Sequence, residues 1–433
     1  MKIAMFTNNY VPHVGGVARS VKTLEDQCRR HGHQVLVIAP EFGDNQPGSC
    51  GNVLRVPAIR NFHGSDFSVR LPLPGYVHAA LLDFAPDVIH SHQPLLMGIT
   101  ALREAWRSRV PIVFTHHTLY EEYVHYVPLD SSTLTPIFKR CAIRLGVEYA
   151  NRCNQVIAPS NSIKQLLLER GVSCPIAVIP TGVDTRLFSS GDGPGMRRRL
   201  GIGPGARVIG HVGRLAQEKN LTFFAEALRQ QLQRDPTSKL LVVGDGAAQP
   251  QLREQLAGAA GAGQLILTGR LSGRELIDAY AAMDVFAFAS QSETQGIVLA
   301  EAMAAGKPVV ALDAPGVRDI LRGGINGIIL PGDASAERFA AALAELLGNP
   351  RLRRRCQIGA AATARSYSQE RCAQQVLSLY TEVRGRYRQL DDDPNTWERL
   401  LAAVEIEWQL LAAKMAVAGA AVAGTAGAEV HLE

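Results

Sequence analysis

The sequence contains no apolar run of about 18 residues, so no segment is expected to span a membrane. It has seven cysteines (Cys28, Cys50, Cys141, Cys153, Cys174, Cys356 and Cys372), an odd number with no C-x-x-C pair. That argues against a disulfide or zinc framework and for a reducing compartment. Charge is also sparse, at a net +5. Such a mild excess does not suggest nucleic acid, but it suits an anionic nucleotide or an anionic membrane surface. The opening "MKIAMFTNN" has too short an apolar stretch for a signal peptide and reads as a first strand. No repeat of solenoid period is present.

The 433 residues are too many for one ordinary core and suggest two domains. Short β-branched runs alternate with helical stretches throughout. "KIAMFT" (2–7), "QVLVIAP" (34–40), "DVIHSH" (87–92), "PIVFTHH" (111–117) and "QVIAPS" (155–160) mark the first half. "RVIGHVGR" (207–214), "KLLVVGDG" (239–246), "VFAFAS" (285–290) and "PVVALD" (308–313) mark the second. Continuous apolar strands between helices predict parallel sheets covered on both faces, hence two doubly wound α/β domains. The expected division is a first domain at 1–188, a Gly/Pro/Ser-rich linker at 189–206 and a second domain at 207–369. A helix at 370–389 is expected to return to the first domain. Beyond it lie the acidic turn "LDDDPNT", an extra helix at 397–414 and an Ala/Gly-rich tail, together covering 390–433. The "RRR" run of the linker reads as a solvated helix face, and the "DDD" run as a helix-entry loop.

In open α/β sheets ligands bind beyond the carboxyl ends of the strands, so polar residues there carry functional weight. "SETQGIVLAEAMAAGKPVVA" (292–311) follows such an end. Its loop carries Glu293, and the helix entered at Gly296 carries Glu301. The amides of Gly296, Ile297 and Val298 are free donors at a helix start, suited to phosphate. Carboxylates suit hydroxyls, so the pattern points to a sugar phosphate or nucleotide. A structural partnership of Glu301 with a buried arginine explains that residue equally well. "HVGRLAQEKN" (211–220) adds Arg214 and Lys219, two cations able to neutralise a diphosphate, or a surface cluster with Glu218. "YVPHVGGVARSV" (10–21) opens a helix at Gly15 and Gly16 without a full G-x-G-x-x-G. Ten of the twelve histidines fall in the first 125 residues. His90, His92, His116 and His117 sit at strand ends, where sugar contact is a better reading than metal ligation.

Together these elements resemble the retaining glycosyltransferases of family 4, with the GT-B architecture of two facing Rossmann-like domains. The resemblance rests on the E-x7-E element ending "EAMAAGKPVVA" and on "GRLAQEKN", and covers about residues 1–385. It implies that Arg214 and Lys219 hold the nucleotide diphosphate and that Glu301 binds the ribose hydroxyls. It places Glu293 and His117 at the donor sugar, Gly16 beside the diphosphate, and the backbone of Arg270 and Leu271 at the base. Backbone donors run from Gln295 through Gly296 and Ile297 to Val298. Family members commonly read "ES-F-G" where this chain has "ETQG". "SETQG", "THHTLYEEYVHYVP" (115–128) and "NNYVPHVGGVARS" are similar to bacterial diacylglycerol glucosyltransferases, which use UDP-sugars and dock on anionic bilayers. That similarity puts Gly15, Tyr120, Tyr123 and Tyr126 on the acceptor side. Lys139, Arg140, Arg144 and Arg152 of "TPIFKRCAIRLGVEYANR" (135–152) then belong either to an interfacial helix or to an ordinary core helix with a charged outer face.

The expected activity is transfer of a hexosyl group from a UDP-sugar to a hydroxyl with retention. The expected acceptor is diacylglycerol at the cytoplasmic membrane face; a soluble or polysaccharide acceptor is the alternative. No D-x-D motif sits at a suitable strand end, so neither a metal nor a further cofactor is expected, and nucleic acid is not an expected partner. A sugar-nucleotide epimerase, a histidine-based metal hydrolase and a non-catalytic sensor are the remaining rivals.

Overall fold

A computed structural model of the protein describes residues 1–13, 15–41, 49–59, 69–70, 74–121, 135–257 and 263–387. Tyr123, Tyr126, the "DDD" run, the helix expected at 397–414 and the tail lie outside the described residues. Among the described residues, no helix is long and apolar enough to cross a membrane.

The first lobe is built on an eight-stranded sheet. Its strands in chain order are β1 (Lys2–Phe6), β2 (Gln34–Pro40), β3 (Ser49–Cys50), β4 (Val53–Val56), β7 (Val88–Ser91), β8 (Ile112–Thr115), β9 (Gln155–Ala158) and β10 (Ile176–Val178); β5 (Ala58–Ile59) and β6 (Val69–Arg70) form a separate small pair. The spatial order is β10-β9-β8-β7-β1-β2-β4-β3, parallel except for β3 against β4. Its helices are α1 (Gly16–Arg30), α2 (Pro74–Phe84), α3 (Met97–Ser108), α4 (Thr135–Asn151) and α5 (Asn161–Glu169). Apolar residues alternate to both faces, giving one core around Phe6, Ile89 and Phe114 and another around Ile3, Met5 and Val37.

The second lobe has a six-stranded, wholly parallel sheet in the order β13-β12-β11-β14-β15-β16. These strands are β11 (Arg207–Val212), β12 (Ser238–Val243), β13 (Leu265–Leu267), β14 (Val285–Phe288), β15 (Val309–Leu312) and β16 (Gly327–Leu330). Around them lie α6 (Thr185–Ser189), α7 (Gly193–Arg199), α8 (Leu221–Arg234), α9 (Gln249–Ala257), α10 (Gly273–Ala282), α11 (Ile297–Ala304), α12 (Val317–Ile320), α13 (Ala336–Gly348) and α14 (Pro350–Ser366). Helix α15 (Gln369–Tyr387) then packs Val376, Leu377, Leu379, Tyr380 and Val383 into the first lobe's core.

The chain crosses between lobes twice, and the crossings touch. Val183 N donates to Tyr367 O at 2.8 Å, and Gln369 N to Val183 O at 3.0 Å. Gly182 permits this approach, since a Cβ there would lie 2.3 Å from Gln369 Cα. The 189–206 linker expectation is therefore corrected. Phe188, Met196 and Ile202 already belong to the second lobe's core. The Gly and Pro residues there serve a capped helix: Asp192 accepts from Gly195 N at 2.8 Å, and Pro occupies the first turn. Nor is the arginine run simply solvated, because Arg197 bonds Ala282 O at 2.8 Å and Asp284 at 2.9 Å.

Candidate active site

The second sheet reverses its winding between β11 and β14, which pair side by side. A crevice opens at the carboxyl ends of such a strand pair. The loop after β11 supplies Arg214 and Lys219, and the loop after β14 supplies Glu293. The "VVGDG" glycines let the next loop press against the first. A Cβ at Gly244 would lie 1.9 Å from Gly213 O, and one at Gly246 would lie 2.3 Å from Leu215 O. These glycines are thus packing requirements of the Arg214 loop.

Lys219 ends a short 3₁₀ turn before α8, and its Nζ bonds Glu293 Oε1 at 2.5 Å. Both side chains are mostly enclosed. Burial alone would raise the Glu293 carboxyl. The charge and hydrogen bond of Lys219, with Ser290 Oγ at 3.1 Å, outweigh it and hold the carboxyl below its ordinary value. Arg214, its side chain half-exposed at the rim, pairs with the buried carboxylate of Glu218. Arg270 pairs there with Asp245 at 3.2 Å, while Leu271 packs against the lobe's core.

Helix α11 starts at Gly296, whose φ of +68° lies in the left-handed region that favours glycine. The first amides beyond it, including those of Ile297 and Val298, have no intrahelical acceptor by geometry, an arrangement suited to an anion. Glu301 lies one turn further in and is 1% exposed. It accepts from Tyr280 OH at 2.7 Å and forms an ion pair with Arg19 of α1, across the cleft. The Glu301 carboxylate strengthens the Arg19 guanidinium's hold on its proton.

Thr294 and Gln295, which depart from the common "ES-F-G" pattern, bind the opposite lobe. Thr294 Oγ1 donates to His117 O at 2.8 Å. The Gln295 side chain accepts from Thr181 N at 2.7 Å and donates to Thr181 O at 2.8 Å. Ser160 Oγ donates to Thr294 O at 2.7 Å. Asp319 accepts from the amides of Asn161 and Ser162, at 3.0 and 3.2 Å, at the start of α5. Gln295 thus has a structural use for its side chain.

The first lobe's face is built from histidines. His90 Nδ1 and Nε2 meet Tyr380 OH at 2.6 Å and Thr115 Oγ1 at 2.7 Å. His92 Nδ1 lies 3.0 Å from His117 Nε2. Burial pushes His90 and His117 down to about 3 and His116 to about 4, so all three are neutral near pH 7. Among the described residues, no group of three or more His, Cys, Asp or Glu is placed to hold a metal. Gly15 is extended, and a Cβ at Gly16 would meet nothing within 4 Å. Packing does not require the Gly16 hydrogen, so the space before it is available to a ligand.

The expected acceptor residues are more dispersed. Tyr120 is half-buried with its ring edge-on to His116. Lys139 is half-buried on α4, Arg140 and Arg144 are exposed, and Arg152 is tied to Glu148 at 2.9 Å. Sequence reasoning missed Arg19, Thr181, Ser160 and Asp319. Arg19 carried one readable signal: it is a cation near the positive end of a helix, where the dipole disfavours it.

The model for Glycosyltransferase Family 4 matches residues 14–187, and that for Glycosyl transferases group 1 matches residues 206–349. A GDP-mannose-dependent alpha-mannosyltransferase of Mycolicibacterium smegmatis is 31% identical over 392 residues, covering 89% of this chain and 98% of that protein. The chain belongs to glycosyltransferase family 4. An alpha-monoglucosyldiacylglycerol synthase of Streptococcus pneumoniae is 29% identical to this family 4 transferase over 340 residues, 77% of this chain and 76% of that protein. The structure of Anabaena HepE in complex with UDP superposes with a TM-score of 0.70 at 22% identity, over 88% of this chain and all of that one. The two facing Rossmann-like lobes of this family 4 glycosyltransferase are accordingly a GT-B fold.

Proposed function

We propose that this transferase moves a hexosyl group from a UDP-sugar to a hydroxyl, with retention, and that the acceptor is diacylglycerol at a membrane face. The observation that carries the donor half is the Lys219–Glu293 pair beside the amide end of α11, at the winding reversal of the second sheet. In this reading Lys219, Arg214 and the amides from Gln295 to Val298 take the diphosphate. Glu301 takes the ribose hydroxyls, the backbone of Arg270 and Leu271 meets the base, and Gly16 leaves room beside the phosphates. Glu293 and a neutral His117 hold the sugar's hydroxyls.

The bond from the anomeric carbon to the β-phosphate oxygen breaks, and its electron pair leaves with UDP. The acceptor oxygen bonds the same face of that carbon through an oxocarbenium-like state, and its proton passes to the departing phosphate. In this reading Glu293 and Glu301 both have binding roles, at the sugar and at the ribose, so neither is assigned as a covalent nucleophile. Lys219 and Arg214 supply the leaving-group charge, so chelation of divalent ions is expected to leave the rate unchanged.

Similarity to alpha-monoglucosyldiacylglycerol synthases of Streptococcus pneumoniae and Acholeplasma laidlawii supports the lipid acceptor. Docking would use Arg140 and Arg144 on α4, with Lys139 alongside. Similarity to GDP-mannose-dependent alpha-mannosyltransferases favours a second reading, with a GDP-sugar as donor. The test is incubation with UDP- and GDP-sugars, with and without diacylglycerol-containing vesicles, followed by mass spectrometry. A hexosylated diacylglycerol formed from a UDP-sugar alone supports the first reading. Product from GDP-mannose alone overturns it.

A further inference from the structure

Both carboxylate oxygens of Glu301 have partners within the protein. One oxygen takes Tyr280 OH, and the other takes the guanidinium of Arg19, which reaches over from the first lobe. The two partners differ in kind. Tyr280 is fully buried within the second lobe, whereas the Arg19 side chain is 44% exposed. Tyr280 is therefore the fixed support and Arg19 the partner that can leave. Arg19 gains little from its own helix, since it stands near the positive end of α1 with no acidic residue in the first turn. Without Arg19 the buried carboxylate would lack its compensating charge, a costly state.

We propose that Arg19 is a built-in competitor for the ribose subsite at Glu301. Its guanidinium holds the carboxylate that a nucleotide's ribose hydroxyls need, and nucleotide binding displaces it. The inference rests on the proposed ribose role of Glu301. Displacement opens one tie between the lobes. The bonds from Gln295 to Thr181, from Thr294 to His117 and from Ser160 to Thr294 do not involve Glu301 and keep the lobes joined. A ligand that must first expel an internal partner binds more weakly by the fraction of protein in which the subsite is vacant. Arg19 thus trades nucleotide affinity for a stable empty cleft.

The test is titration calorimetry with uridine and with UDP on the intact chain, comparing wild type, Arg19→Ala, Glu301→Gln and the double variant. Arg19→Ala is expected to tighten both ligands about fivefold and to lower the melting temperature of the empty protein. In the Glu301→Gln background the same change is expected to leave affinity unaltered, an outcome that a merely structural role for Arg19 would not produce. Arg19→Lys should restore much of the wild-type value. If Arg19→Ala fails to fold, Arg19→Gln carries the same expectation. Unchanged or weakened uridine binding in the Arg19 variant overturns the competitor role. If Glu301→Gln nevertheless weakens uridine, the ribose reading survives that result. Wild-type-like uridine affinity in Glu301→Gln, measured in the Arg19→Ala background, overturns the ribose reading itself.

Discussion

Where the second lobe meets the cleft, its charges come in opposed pairs: Lys219 with Glu293, Arg214 with Glu218, Arg270 with Asp245. Where the first lobe meets it, His90, His92 and His117 have been stripped of charge by burial, with the neighbouring histidines adding to the effect. Arg19 is the cation that crosses from one side to the other. The contrast suits two different guests. A paired charge can exchange its internal partner for a substrate group without ever standing alone in a dry site. Neutral imidazoles can bond hydroxyls without attracting the anion across the cleft.

The largest break in this comparison is expected from Lys219→Ala. Losing a preorganised charge contact to the leaving group should lower turnover about a hundredfold, ~3 kcal/mol in the barrier, with the circular dichroism spectrum unchanged. An unaltered rate would remove the diphosphate assignment. Next comes Glu301→Gln, expected to weaken UDP about tenfold by calorimetry, the scale of a hydrogen bond to a charged group.

The histidine side of the contrast is tested by pH. His90, His92, His116 and His211 are all buried, and each is held well below the ordinary histidine value; His116 and His211 are pushed down to about 4. Below pH ~6.5 the unfolded chain binds protons that the folded chain refuses, so stability falls as pH falls from there towards 4, and is level above it. Each such histidine contributes a slope of at most ~1.4 kcal/mol per pH unit. Urea titrations of wild type and His90→Gln at pH 7.5 and 5.5 measure it. The variant should lose less stability on acidification, and equal losses would deny that His90 is held neutral. The smallest effect concerns Gly16→Ala. With open space around its Cβ, the change should raise stability by about 0.5–1 kcal/mol through helix propensity, while turnover falls because the methyl enters the substrate's space. Unchanged turnover would mean that no ligand approaches there.

Much of this was legible because apolar runs recur with regular spacing, and because Glu293, Glu301, Arg214 and Lys219 sit at strand ends or helix starts that local pattern reveals. Composition misled at 189–206, where Gly and Pro serve a capped helix and not a linker. The true crossing at Gly182 looked like an ordinary strand end, since its reason is the passage of Gln369 close by. Arg19 was invisible as a partner of Glu301 because 282 positions separate them, and no local periodicity encodes a contact between lobes. The exchange of Phe for Gln295 could be read as a departure from pattern, but its bonds to Thr181 depend on how the lobes meet.

A crystal structure of the intact chain with UDP-glucose tests the central claim most directly. It should place the diphosphate on Lys219 Nζ and the first amides of α11, with Lys219 drawn away from Glu293 and the ribose hydroxyls on Glu301. A nucleotide bound elsewhere, with the Lys219–Glu293 and Arg19–Glu301 pairs both intact, would contradict it.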